Sequence, residues 1–97
     1  MRFEIVLAPQ AIEDLRGLTA RDRTTVKDSI ETHLRHEPRR TSKSRIKRLR
    51  GLRQPQFRLR VDEFRVFYDV EGGSVHVLAI VEKTNANQWL QRSGEIE

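Results

Sequence analysis

Residues 56–70, QFRLRVDEFRVFYDV, decide how this chain is read. Two runs of strict alternation flank Asp62-Glu63, the pattern of two antiparallel strands joined by a tight turn. In the first run Phe57, Leu59 and Val61 share one face, and Arg58 and Arg60 take the other. In the second, Phe64, Val66, Tyr68 and Val70 lie together, opposite Arg65, Phe67 and Asp69. A two-residue turn sets Val61 against Phe64 and therefore Arg60 directly across from Arg65, whereas a three-residue loop would slip the pairing and flip the faces. Like charges facing each other on a sheet are unfavourable. Arg58, Arg60 and Arg65 on one face, with only Asp69 as an acid among them, thus cost stability that a bound anion would restore. The competing reading is an ordinary solvated sheet face, with arginine stems lying past Phe67.

Upstream lies a second basic feature, RRTSKSRIKRLRGLR from Arg39 to Arg53, which contains no acid. Between Arg39 and Arg65 the chain concentrates more than half of its 19 Lys and Arg residues. Such a block is either a solvated loop or the electrostatic footprint of phosphate binding, and Lys43, Arg45, Lys47, Arg48, Arg50 and Arg53 are its candidate nucleic-acid contacts. Ile46, Leu49 and Leu52 at three-residue spacing tether the block to the core. Gly51 permits the turn into the hairpin.

The N-terminal part reads as a strand followed by two helices. Phe3, Ile5 and Leu7 alternate. Pro9 suits a first helical turn, and Ala8, Ala11, Ile12, Leu15 and Leu18 recur at helical spacing up to Gly17. Thr19-x-x-Asp22 has the form of a capping box for a second helix, with Val26, Ile30 and Leu34 as its buried stripe. That helix must stop before Pro38. The connection is too short for anything but an antiparallel helix pair. Downstream, Glu71-Gly72-Gly73 is a turn, and Ser74–Val81 is apolar on both faces, as in a central strand covered on both sides. The alternation assigns Val75, Val77, Ala79 and Val81 to one face and His76, Leu78 and Ile80 to the other. Lys83–Gln91 reads as a polar exit containing Trp89, the single tryptophan. Trp89 either caps an edge of the core or offers a stacking platform for a base.

At 97 residues the chain has the length of one domain spanning residues 1–97, with a formal charge of +5 that calls for an acidic partner: nucleic acid, an acidic protein or anionic lipid. Without cysteine it has no disulfide and no thiolate metal site, and its three histidines are too scattered for a metal signature. No apolar run reaches membrane-spanning length and no signal-peptide pattern opens the chain, so a cytoplasmic location and no membrane partner are expected.

The order of strand, helix pair, basic segment and three-strand meander resembles the RelE/ParE toxin superfamily of type II toxin–antitoxin pairs. The likeness rests on Ala11 with Leu15, on LRGLRQPQFRLRVDEFRVFYDV from Leu49, and on VHVLAIVEK from Val75. It implies an α+β fold: a small antiparallel sheet with the helix pair on one face and the basic face open, the first strand lying at an edge or beside the fourth. It also implies a ribosome-dependent mRNA endoribonuclease without a cofactor, closer to RelE-like members; the alternative is a ParE-like toxin that inhibits DNA gyrase. By position the family's catalytic residues correspond to Arg58, Arg60, Arg65 and Lys83, and its C-terminal tyrosine to Trp89. The first three are close matches and the last two are substitutions. Arginine stays protonated and supplies only charge, so Lys83, near three arginines, is the expected proton acceptor, with Glu82 a weaker candidate. Either toxin implies an acidic antitoxin as partner; the nuclease adds the ribosome and mRNA.

Overall fold

A computed structural model describes residues 1–97. In chain order the elements are β1 (Glu4–Leu7), α1 (Pro9–Arg16), α2 (Ala20–Leu34), β2 (Ile46–Arg48), β3 (Leu52–Gln54), β4 (Phe57–Val61), β5 (Phe64–Glu71), β6 (Ser74–Glu82), a 3-10 turn at Lys83–Asn85, α3 (Ala86–Ser93) and β7 (Glu95–Ile96). A five-stranded sheet has the order β1-β6-β5-β4-β2, and β3 and β7 form a separate pair. The meander β4-β5-β6 is antiparallel; β1 runs parallel to β6 at the edge. This is the α+β architecture expected, with β1 both at an edge and beside the fourth of the strands foreseen.

Local chemistry accounts for the helix pair. Pro9 opens α1, and Gly17 closes it. The Thr19 hydroxyl accepts the Asp22 N–H at 3.1 Å, capping α2. Arg23 reaches back from α2, its Nε and Nη2 donating to the Leu15 and Leu18 carbonyls, each at 3.0 Å. A cation there adds a donor to carbonyls at and just beyond the end of α1 and opposes its dipole. Val26, Ile30 and Leu34 of α2 and Ala11 and Leu15 of α1 are buried against the sheet. They meet Leu59, Val61, Val66, Tyr68, Val75 and Val77 in a single cluster. Each such fully buried aliphatic contributes roughly 1.5–3 kcal/mol. Ile12 departs from the expected stripe and is exposed. The Tyr68 hydroxyl donates to the Pro38 carbonyl at 2.6 Å, tying the segment after α2 onto the core.

The basic block Arg39–Arg53 is tethered as its apolar spacing suggests: Ile46 is buried opposite Leu59, which draws β2 onto the edge of β4. One expectation fails in an instructive way. The faces of β6 do not alternate as its sequence suggests. Phe67 pairs with Ala79 but Tyr68 pairs with Val77, so Leu78 is an extra, unpaired residue. This bulge reverses the alternation. Val75 and Val77 face the helix pair, and beyond Leu78 it is Ile80 that joins the same core, while Ala79 pairs with Phe67 outside it.

That reversal explains α3. The second sheet face carries Phe67 and Ala79, both fully buried although neither belongs to the main core cluster. The stretch after β6, expected as a polar exit, is instead an amphipathic helix whose Trp89 ring lies parallel to Phe67 at 4.8 Å. The basic face is therefore not open along its whole length. No helix is long and apolar enough to cross a membrane.

Candidate nucleic-acid interface

The turn at Asp62-Glu63 is two residues long, with Asp62 in the left-handed region at φ 50°. Aspartate tolerates that conformation better than most residues. Val61 therefore pairs with Phe64 and Arg60 with Arg65, as the alternation predicts. Two pairs further on, and so on the same face, Arg58 faces Phe67 across β4 and β5, and on its other side it faces Lys47 of β2. Arg45 extends the neighbouring row: its carbonyl accepts the Arg60 N–H at 2.8 Å. Side chains directly opposite stand about 4.5–5.5 Å apart at Cβ. The face thus presents Lys47 beside Arg58 and Arg60 beside Arg65, while the Arg45 guanidinium sits at the sheet edge, donating to the Arg60 carbonyl at 3.4 Å and acting on His33 of α2; no ion pair in the chain involves any of the five.

Lys47 in register with Arg58 is what the sequence reading missed. The signal was there in the alternation Arg45-Ile46-Lys47, once Ile46 is known to be the buried member. Arg48 and Ile46, by the same period, lie on the helix-pair face.

The three arginines share a face but not an environment. Arg60 is exposed. Arg65 is only 7% exposed, and its Nη1 donates at 2.9 Å to both the Asp62 and the Phe64 carbonyls. It braces the turn from within, and its charge acts on the face more than its N–H groups do. Arg58 is half-buried; burial first, and then the charges of Arg65 and Arg60, lower its pKa from the ordinary guanidinium value. Its Nε is buried with no hydrogen bond in the chain, as is the Trp89 Nε1. A buried donor without an acceptor costs about 1–3 kcal/mol. Both atoms are closed to solvent, so on this face it is the exposed Lys47 and Arg60 and the half-buried Arg58 that an anionic oxygen can approach.

The other candidates divide. Arg45 and Arg60 line a small cleft of about 220 Å³ with Ser44 and Asp62, large enough for a phosphate. Lys83 is exposed, and its backbone N–H donates to the Glu63 carbonyl at 2.7 Å, beside the β4–β5 turn. Lys43 and Arg50 are exposed in the segments flanking β2. Arg53 is not free: its guanidinium pairs with Glu95 across β3 and β7. Trp89 is half-buried with one ring face against Phe67, so it is first of all a cover for this face. Asp69, the single acid foreseen among the arginines, is buried, accepting the Gln56 N–H at 2.7 Å and the Gln54 amide at 2.6 Å. It is occupied with holding the start of β4 and leaves the cations unneutralised. His76, its cross-strand neighbour, is half-buried, and His33 is held below the usual imidazole range by burial and by Arg45. No three His, Asp or Glu side chains cluster as a metal site.

No protein-family model matches the chain, and no curated protein matches it in sequence. Among solved structures it is similar to a variant of the Escherichia coli toxin RelE in the free state, with a TM-score of 0.69 and 19% identity over 96% of this chain and 99% of that one. It is similar to a chain of the toxin–antitoxin complex RelBE2 from Mycobacterium tuberculosis, with a TM-score of 0.67 and 22% identity over 84% of this chain and 99% of the other. A chain of the RelB–RelE antitoxin–toxin complex from Methanococcus jannaschii gives a TM-score of 0.65 and 19% identity over 87% of this chain and 96% of that one. At these identities the likeness is one of fold: the chain has the RelE fold.

Proposed function

Starting from the RelE fold, we propose that this chain is the toxin of a type II toxin–antitoxin pair, acting in the cytoplasm as a ribosome-dependent mRNA endoribonuclease. The observation that carries the reading is the cluster formed by Lys47, Arg58, Arg60 and Arg65 on one sheet face, none of them paired with a carboxylate. A scissile phosphodiester laid across this face meets Arg58 and Arg60 directly, with the buried charge of Arg65 behind them. In the reaction the neighbouring 2′-oxygen bonds to phosphorus as its proton leaves, and the bond to the 5′-oxygen breaks as that oxygen takes up a proton. Negative charge grows on the phosphoryl oxygens, and fixed cations in a partly dry setting stabilise it most. The guanidiniums do not exchange protons at neutral pH. Lys83, next to the turn that Arg65 braces, is the proposed proton acceptor in its uncharged amine form, and its resulting ammonium, or water, returns a proton to the departing 5′-oxygen.

Lys43, Arg45, Lys47 and Arg50 supply the wider electrostatic contact with ribosomal RNA. Trp89 covers the face in the free chain with one side of its ring on Phe67, and the other side is the one on which a base would stack. An acidic antitoxin is the matching protein partner, and two of the structural neighbours named above are toxin–antitoxin complexes.

The test is cleavage of a defined mRNA on programmed ribosomes. Wild type should cut and Arg60→Ala should lose at least about 100-fold, the size of effect seen when one transition-state contact is removed. No cleavage by wild type, together with inhibition of gyrase supercoiling, would replace the nuclease reading with the gyrase one. Unchanged cleavage by Lys83→Ala would remove that residue from the chemistry.

A further inference from the structure

On the opposite side of the sheet, at the end away from the Asp62-Glu63 turn, a cleft of about 540 Å³ is lined by Arg39, Thr41, Arg48, Gln56, Phe57 and Val70. Phe57 and Val70 are buried members of the helix-side core, so the cleft opens on the face that carries the helix pair. Each of its arginines lies over an aromatic ring: the Arg39 guanidinium is 5.8 Å from the Phe3 centroid, and that of Arg48 is 5.2 Å from the Phe57 centroid. Neither is paired with a carboxylate, and no acid lines the cleft. The contrast is local. Arg40, adjacent in sequence, is bonded to Glu37 at 3.1 Å, and Arg35 is held by Glu31. Gln56 uses its carbonyl oxygen to accept the Val70 N–H at 2.9 Å, leaving its amide N–H groups for a ligand.

We propose that this cleft is a second RNA-binding site, which takes a backbone phosphate on the sheet face opposite the arginine cluster. The inference rests on the RNA-directed reading above and adds a separate site to it. Every polar group available in the cleft can donate: two guanidiniums, the Thr41 hydroxyl and the Gln56 amide. That inventory selects an anion with several acceptor oxygens. A guanidinium resting on a ring keeps its edge N–H groups free, and less side-chain freedom is lost when it binds. Phosphate in a nucleic-acid backbone is favoured over an acidic peptide because Phe57 and Val70, the apolar lining, are each only 5% exposed. They offer no pocket for the apolar anchors on which peptide affinity depends, whereas phosphate binding runs on cations and counterion release. With cations on both faces, the chain can be held by structured RNA on one side while it engages a strand on the other.

The test uses the full chain and a fluorescein-labelled 20-nucleotide single-stranded RNA, titrated from 50 to 300 mM salt. Arg39→Gln/Arg48→Gln should weaken binding about tenfold and reduce the slope of log affinity against log salt by about 1–2, one unit or less for each phosphate that is no longer neutralised. Thr41→Glu, which puts a carboxylate at the mouth and leaves both arginines in place, should weaken binding in the same direction. Both changes are at exposed positions, and far-UV circular dichroism verifies folding. Unchanged affinity and slope in both variants would overturn the proposal, as would loss of polyglutamate binding with RNA binding intact. Cleavage on programmed ribosomes is scored separately. If wild type fails to cut while the double variant still loses RNA affinity, the nuclease reading falls and this site stands.

Discussion

Arg58→Met gives opposite signs for stability and activity, and both follow from where Arg58 sits. Its guanidinium lies opposite Lys47, diagonal to Arg65 and two residues from Arg60, with Nε buried and unbonded. Methionine keeps the length and packing of the stem over Phe67 while removing the charge and the donors. The like-charge opposition costs about 0.2–1 kcal/mol and the unpaired buried N–H about 1–3 kcal/mol. Relieving both should stabilise the fold by about 1–3 kcal/mol, which for a chain of 97 residues raises Tm by at least about 4–8 °C. Part of the gain is Coulombic, so it should shrink in 0.5 M salt, where charges are screened within a few ångströms. On programmed ribosomes the same variant should lose at least about 100-fold in cleavage. Differential scanning calorimetry at two salt concentrations and single-turnover cleavage read out the pair of effects. A lower Tm would mean that the Arg58 charge supports the fold and that this face is not kept unstable for an anion.

Phe67→Ala removes the ring on which Trp89 lies and should cost about 3–5 kcal/mol, with a red shift in tryptophan emission as α3 loosens; unshifted emission would mean that other contacts dock the helix. Tyr68→Phe deletes the buried hydroxyl bonded to Pro38 and should cost about 1–3 kcal/mol in denaturant unfolding, leaving the carbonyl unpaired. Asp14 accepts the Ile80 N–H at 2.8 Å, yet burial raises its pKa above the ordinary 3.8, against the opposing pull of that bond and of Gln10. Above 3.8 the folded state therefore holds this proton more tightly than the unfolded one, and stability falls as pH rises through the raised value. Asp14→Asn should raise Tm at pH 7, with the gap closing as pH falls towards 4; a gap that widened on acidification would contradict the sign.

Residues 56–70 by themselves determined which side chains share a face within β4 and within β5, because side chains alternate with a period of two; the register between the strands followed once the turn at Asp62-Glu63 proved to be two residues long. The same rule, with the Thr19 cap and the Val26, Ile30 and Leu34 stripe, made the helix pair and the meander legible. The covering of the basic face was decided elsewhere. Leu78 sits in an unbroken apolar run, and nothing in that run distinguishes a bulged residue from a paired one. Only pairing with β5 reverses the faces of β6, sets Ala79 beside Phe67, and so calls for α3 with Trp89 on top. The surroundings of each cation were likewise invisible in one dimension. Arg53 finds Glu95, Arg65 turns into the carbonyls of its own turn, and Lys47 comes to stand beside Arg58. Periodicity sets which way a side chain points, but what it meets there depends on contacts between residues far apart in the chain.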